Sequence, residues 1–541
     1  MFIGNKKCRI YAACGVSQTP ITTLCGGSSI AYGIYGKQRK IFPWKHMELV
    51  YWEEVIFFVV FLLWTYMAGF HPAAHGTEKY MDFGFMKSMM RSTTRFIGFD
   101  PPVTGDETIH EFPSYSFVIG DLHAHVINVF FVLAVLGILY AWIKRNSGKS
   151  WKQKEIFLLG LFLGIFLFSN TWDFMIYYVV ICGTLFFGNL KRYLNSTDMK
   201  PSDMRTGIKW SVVQWIELLL TAVLISLPFH LQFKSVMVQG IGIVKIHTAF
   251  YQFCVLWAFP LLICGLFVVS TLIKNRNFTN KKNRNLFYKI NVSDLYGVVL
   301  SLCAMGLILI PEIVYVRDIY EKTAPRANTM FKLTYQAYML FGMTMGYGIF
   351  RMLVAARKKV FKVVSVIGLV LLCWTFGYFG NSVYAWFGKV WEPSEYKGLN
   401  AASFLENDFA EDVAGIKWLK KNVKGSPVVL EANGDSYSGY ERVSAMTGLP
   451  TVLGWYVHEW LWRDDTADLN EKSADIESIY TSLDEEYVKE LLEEYDVSYI
   501  FVGSKEREKY GETLNEDVLK SLGEVVFQDE VYSTYILKVN K

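Results

Sequence analysis

Cysteine is scarce, and it is missing where a secreted framework would need it. Eight cysteines occur in 541 residues. Cys182, Cys254, Cys264, Cys303 and Cys373 lie in apolar runs, and Cys8, Cys14 and Cys25 lie near the start. The polar loops assigned below to the outer side, and all of residues 381–541, contain none. A disulfide framework is therefore excluded there. There is no CxxC or Cys/His spacing for zinc, no Gly-rich phosphate loop and no G-x-S-x-G elbow. The start lacks a compact basic-then-apolar stretch with a cleavage site, so no cleavable signal peptide is expected.

Charge is also sparse. Asp, Glu, Lys and Arg make up 19% of the chain, against 52% hydrophobic and 16% aromatic residues and a mean hydropathy of +0.23. That is too apolar for an ordinary soluble enzyme. Runs long enough to span a bilayer recur near 52–70, 126–143, 155–169, 174–190, 210–228, 250–273, 293–311, 333–350 and 361–380. These predict an α-helical polytopic membrane protein with about nine transmembrane helices. Residues 1–49 form an irregular leading segment with a weaker candidate span, residues 50–380 the membrane domain, and residues 381–541 a separate domain.

The net charge of +4 hides an asymmetry. Residues 381–541 hold 16 Lys and Arg against 31 Asp and Glu, about −15, which leaves about +19 for the remainder. The positive charge sits in every second loop: Lys37 to Lys45, Lys144 to Lys154, Lys191 to Lys209, Lys274 to Lys289 and Arg351 to Lys362. Basic residues in short loops between apolar spans are a topology signal, not a nucleic-acid signal. The positive-inside rule places them in the cytoplasm. Loops 71–125, 170–173, 229–249 and 312–332 and the tail then lie outside. The tail reads as an α/β domain. Strands are expected at Pro427–Glu431, Pro450–Trp455 and Ser498–Gly503, a helix at Asp484–Tyr495, and a hairpin from Glu524–Phe527 and Tyr532–Val539. The aromatic run Trp455–Arg463 either covers a sugar or lipid headgroup or packs against the domain or the membrane.

Five polar motifs fall on the outer side, each beside a span. Glu78 and Asp82 are four apart, so on a helix they share a face and can hold a cation or supply a base. Otherwise they are a solvated loop. Asp121, His123 and His125 can ligate a metal from an extended segment, position a phosphate or cap the next helix. His123 also has the pKa range of a general base. Asn170 and Asp173 occupy a short turn, where Asp173 either caps a helix or takes part in chemistry. Glu312, Arg317, Asp318, Arg326, Asn328 and Lys332 concentrate basic groups near membrane level. Arg and Lys suit a phosphate, whereas Glu312 and Asp318 can instead neutralise them in salt bridges.

These motifs together carry a resemblance. Glu78-Lys79-x-Met81-Asp82-Phe83, Gly120-Asp-Leu-His-Ala-His125, Asn170-Thr-Trp-Asp173, Pro311-Glu-x-x-Tyr-x-Arg-Asp318, Arg326-x-Asn-Thr-x-Phe-Lys332 and Thr447–Trp455 followed by His458-Glu459 resemble the "YYY" membrane proteins of the DUF2298 family. That family is grouped with polytopic GT-C-type glycosyltransferases, which use polyprenyl-phosphate sugar donors. The resemblance implies a GT-C-like membrane domain with an extracytoplasmic α/β domain. It implies sugar transfer from a polyprenyl-phosphate donor to an extracytoplasmic acceptor. Glu78 or Asp82 would activate the acceptor or hold a cation such as Mg or Mn. Asp121 and His123 would complete the site. Arg317, Arg326 and Lys332 would neutralise the leaving phosphate. The chain departs from the family pattern after Ser92, where a long tyrosine-bearing insert is missing. A non-functional truncated paralogue is therefore one alternative, and a transporter or lipid-handling protein is another.

Overall fold

A computed structural model describes residues 47–72, 96–98, 106–119, 121, 123–145, 153–194, 200–233, 240–275, 286–463 and 466–540. Among the described residues, nine long apolar helices follow the hydropathy pattern: α1 Met47–Ala68, α2 Ala124–Lys144, α3 Lys154–Ser169, α4 Thr171–Tyr193, α5 Pro201–His230, α6 Phe250–Asn275, α7 Val292–Leu309, α8 Ala327–Ala355 and α9 Lys359–Phe387. Eight of them are long and apolar enough to cross a membrane; α3, with 16 residues, is the short one. The protein is thus an α-helical polytopic membrane protein with a small C-terminal α/β region. Two compact units divide the chain, one of residues 78–382 and one of residues 1–77 with 383–541.

In the first unit α2 to α8 pack around Leu136, Leu163, Tyr177, Ile181, Leu300 and Leu340, all almost fully buried. Met175, Val179, Leu220 and Leu224 instead face outward. Bare apolar side chains on this scale fit lipid rather than water. Between helices in lipid there is no hydrophobic drive, so close backbone approach and interhelical hydrogen bonds must hold the bundle. Both are present. Gly160 and Gly164, four apart on α3, admit α5 so closely that an added Cβ at either would lie 2.7 Å from Thr221 or Ile225. Asn189 on α4 donates to Ser211 and Gln214 on α5 at 3.1 and 2.8 Å. Asp294 near the start of α7 accepts from Tyr347 and Arg351 on α8.

The C-terminal unit is built on a four-stranded sheet of β3 Val428–Leu430, β4 Val497–Val502, β5 Gly523–Gln528 and β6 Tyr535–Val539, in the order β3-β4-β6-β5. β3 and β4 are parallel, and β6 runs antiparallel to β4 and β5. The acidic amphipathic stretch is helix Glu485–Glu494, with Asp484 accepting from the amides of Glu486 and Tyr487 as its cap. The expected strand at Pro450–Trp455 does not form. Val429 donates to the Pro450 carbonyl, but the pairing stops at that bond, between the turn at Gly448 and helix Tyr456–Arg463.

Candidate functional site

Four of the five polar motifs, all but the one with Glu78 and Asp82, converge at one end of the α2–α8 bundle, where they make two arrangements of different character. The first is a lock around Arg326, the residue before α8. Strands β1 Ile241–Ile243 and β2 Val314–Val316 pair antiparallel and bring the loop before α6 against the loop after α7. Arg326, only 1% exposed, then pairs with Asp106 and with Glu312 at 2.8 Å. It also donates to Thr248 Oγ1 at 3.0 Å and the Pro311 carbonyl at 3.3 Å. Glu312 accepts in turn from the amide and hydroxyl of Thr248. Asp318 accepts from Asn328 Nδ2 at 2.7 Å and the Tyr320 amide at 2.8 Å. Arg317 is half exposed and lies 3.4 Å from Glu321. Of the two roles open to Arg326, the geometry shows the salt bridge: its guanidinium is spent on protein carboxylates and carbonyls.

The second arrangement is a cluster of possible ligand atoms. Glu111, Asp121 and His125 each present a ligand atom, and these atoms all lie within 4.8 Å of one another. Helix Pro113–Ile119 turns the chain back so that Asp121 returns toward Glu111; the Asp121 amide donates to the Ser116 carbonyl. His125 sits in the first turn of α2 with its side chain 5% exposed. Its Nε2 is 3.7 Å from Asp121 Oδ2 and makes no hydrogen bond. Its Nδ1 is 3.5 Å from Lys332 Nζ, and Phe331 and Tyr335 pack edge-on to the ring. His123 is 62% exposed and bonds Asp121 through both its ring and its backbone amide. Burial opposes ionisation of Asp121, but the hydrogen bonds from His123 and the nearby imidazoles outweigh it and hold the carboxyl below its ordinary range.

Deeper in the same end lies Asp173, 1% exposed in the first turn of α4, where a helix N-terminus favours a carboxylate. It accepts from Asn128 Nδ2 and Asn170 Nδ2, each at 2.9 Å, and from Gln336 Nε2 at 2.8 Å. Gln336 Oε1 accepts from the Tyr177 hydroxyl at 2.6 Å. Lys332 and Gln336 are four apart on α8 and so share a face. Lys332 thus stands in the field of Asp173, Glu111 and Asp121, one ammonium among three carboxylates.

The structure therefore gathers Asp121, His123, His125, Asn170, Asp173 and Lys332 on one network, and Glu312, Asp318, Arg326 and Asn328 on the neighbouring lock. Glu78 and Asp82 lie outside the described residues. Sequence reasoning missed Glu111, Asp106, Thr248, Asn128 and Gln336. Asn128 and Gln336 did carry a signal, as amides inside apolar runs.

The profile of the uncharacterised membrane protein family DUF2298 matches residues 17–95, 92–291 and 284–341. The chain belongs to that family. The matched stretches overlap at residues 92–95 and 284–291. No curated protein matches the chain. Among solved structures, it is similar to an oligosaccharyltransferase of Archaeoglobus fulgidus crystallised with a tethered acceptor peptide, at 10% identity and a TM-score of 0.32, over 79% of this chain. The chain spans 58% of that protein's length.

Proposed function

We propose that this DUF2298 protein is a GT-C-type membrane glycosyltransferase that moves a sugar from a polyprenyl-phosphate donor to an acceptor on the extracytoplasmic side. The observation that carries the reading is the buried cluster of Glu111, Asp121, His125 and Lys332 at the end of the bundle. Three ligand atoms, from Glu111, Asp121 and His125, lie within 4.8 Å of one another, and the buried His125 Nε2 makes no hydrogen bond.

In the reaction, the bond from the anomeric carbon to the phosphate oxygen breaks and a bond to the acceptor oxygen forms. Asp121, kept ionised by His123, is placed to accept the acceptor hydroxyl proton. Lys332 is the cation facing the departing polyprenyl phosphate. Glu111, Asp121 and His125 fit a divalent cation: two carboxylates and an imidazole nitrogen without a partner are a ligand set for Mg or Mn. Such an ion would supply further charge stabilisation at the leaving phosphate. His125 can offer Nε2 only with its proton on Nδ1, which releases Lys332 from that nitrogen toward an incoming phosphate.

The reading is tested by native mass spectrometry of the protein extracted in mild detergent, wild type beside Lys332→Met. A polyprenyl-phosphate species retained by the wild type and lost in the variant is the expected result. Bulk phospholipid alone in both would sink it and favour a transporter or a truncated, inactive paralogue.

A further inference from the structure

The aromatic run of the tail does not act as one patch. In helix Tyr456–Arg463, Tyr456 and Trp460 are four apart and pack on the core built around Leu430, Ile476 and Leu492. Tyr440 joins the same core. His458 falls on another face of the helix. There it meets Trp455 at 5.4 Å and Tyr437 at 5.2 Å between ring centroids, and Tyr437 and Trp455 are 5.8 Å apart. Tyr437 is 51% exposed. These three rings form a surface of their own.

The surface is built, not incidental. Trp455 Nε1 donates to the Tyr440 carbonyl at 3.0 Å, and His458 Nδ1 lies 2.7 Å from Ser436 Oγ, so both rings are fixed in orientation. The loop that carries Tyr437 is anchored at both ends by a buried ionic network. Glu431 accepts from the amides of Val443 and Ser444, and Arg442 bonds Asp412 and Glu506. Within that loop Tyr437 (φ 60°) and Glu441 (φ 65°) both hold left-handed backbone, two of the three non-glycine residues to do so among the described residues. Such conformations cost about 1–3 kcal/mol each and persist where the surroundings over-determine them. Glu441 lies beside the rings and accepts from the Trp455 backbone; its other oxygen, Oε1, is enclosed and makes no hydrogen bond.

We propose that this face of the C-terminal domain is a saccharide-binding site, taking a neutral sugar ring against Tyr437 and Trp455. Aromatic faces pack well on the apolar faces of sugars. The ring spacing argues against a cage for an organic cation. A cage holds the cation between ring faces, about 6 Å from each centroid, whereas these rings already touch one another. Glu431 and Glu459, whose charges act on Glu441, make the face unfavourable for an anionic sugar. Burial, together with those neighbouring carboxylates, pushes the Glu441 carboxyl up to about 8. The site is separate from the bundle cluster and stands whether or not the transferase reading does.

The test uses the full-length protein in amphipol, which carries no sugar head group. Saturation-transfer NMR is recorded with maltotriose, mannotriose and the N-acetylglucosamine trimer, beside glucuronate and tetramethylammonium. At least one neutral trisaccharide should receive saturation, and the two charged probes should not. Tyr437→Ala should weaken that binding about tenfold without moving the melting temperature, because the ring is half exposed. Asp121→Asn should leave it intact. No signal from any trisaccharide overturns the proposal. So does binding that survives both Tyr437→Ala and Trp455→Phe, or tetramethylammonium held at the same rings.

Discussion

Lys332 Nζ lies 3.5 Å from His125 Nδ1, across 207 residues of sequence. The contact joins the start of α2 to the first turns of α8 and sets one ammonium against Glu111, Asp121 and Asp173. Removing it takes away the positive charge that acts on all three. Lys332→Met should lower stability by about 3–5 kcal/mol, the usual result of breaking a buried charged pairing, unless Mn or Mg is supplied. Thermal unfolding in detergent, with and without the ion, measures this. A variant as stable as wild type without added cation would show that the three carboxylates are not all ionised.

A divalent cation should stabilise the wild-type protein. Binding to the folded state alone contributes about 2.7 kcal/mol at a hundredfold excess over Kd. Asp121→Asn and His125→Ala should each abolish the shift, and Asp173→Asn should not. Equal shifts in all four proteins would place the ion elsewhere.

Arg326→Ala should act on folding. The residue is buried between Asp106 and Glu312, so truncation strands two carboxylates and should cost about 3–5 kcal/mol. Arg326→Lys should recover little, since one ammonium cannot reach Asp106, Glu312, Thr248 and the Pro311 carbonyl together. Expression level and melting temperature report it. A well-folded Arg326→Ala that fails only in lipid binding would restore the phosphate-clamp role.

Glu441 predicts a pH dependence of the C-terminal domain. Its carboxyl is raised from an unfolded value near 4.5 to about 8 by burial and by Glu431 and Glu459. The folded state therefore holds this proton where the unfolded state has lost it. The resulting stability is fully present below about pH 4.5 and is lost as pH rises through about 8. Glu441→Gln should flatten that slope. Melting followed by tryptophan fluorescence between pH 5 and 9 decides it; parallel curves for the two proteins would contradict the assignment.

The nine apolar helices were legible because lipid imposes length and hydropathy directly on the sequence. The clustering of the four described polar motifs was legible too, since each lies beside a span. Partner choice was not. Arg326 and Lys332 are six residues apart and look alike as cations, yet the first lies between two protein carboxylates and the second beside an imidazole with a spare nitrogen. Only tertiary contact separates them. Glu111 was missed because its link to Asp121 depends on the short helix 113–119 folding back. Within the tail's aromatic run, the helical period turns Tyr456 and Trp460 inward and His458 away.

The central claim is that the Asp121 cluster performs sugar transfer from a polyprenyl-phosphate donor. The most direct measurement is release of polyprenyl phosphate, followed by mass spectrometry, when the purified protein in nanodiscs receives polyprenyl-phosphate glucose or mannose with a membrane-extract acceptor and Mn. The account predicts release by the wild type and a rate at least about a hundredfold lower for Asp121→Asn. No release from either donor, or equal release by both proteins, would contradict it.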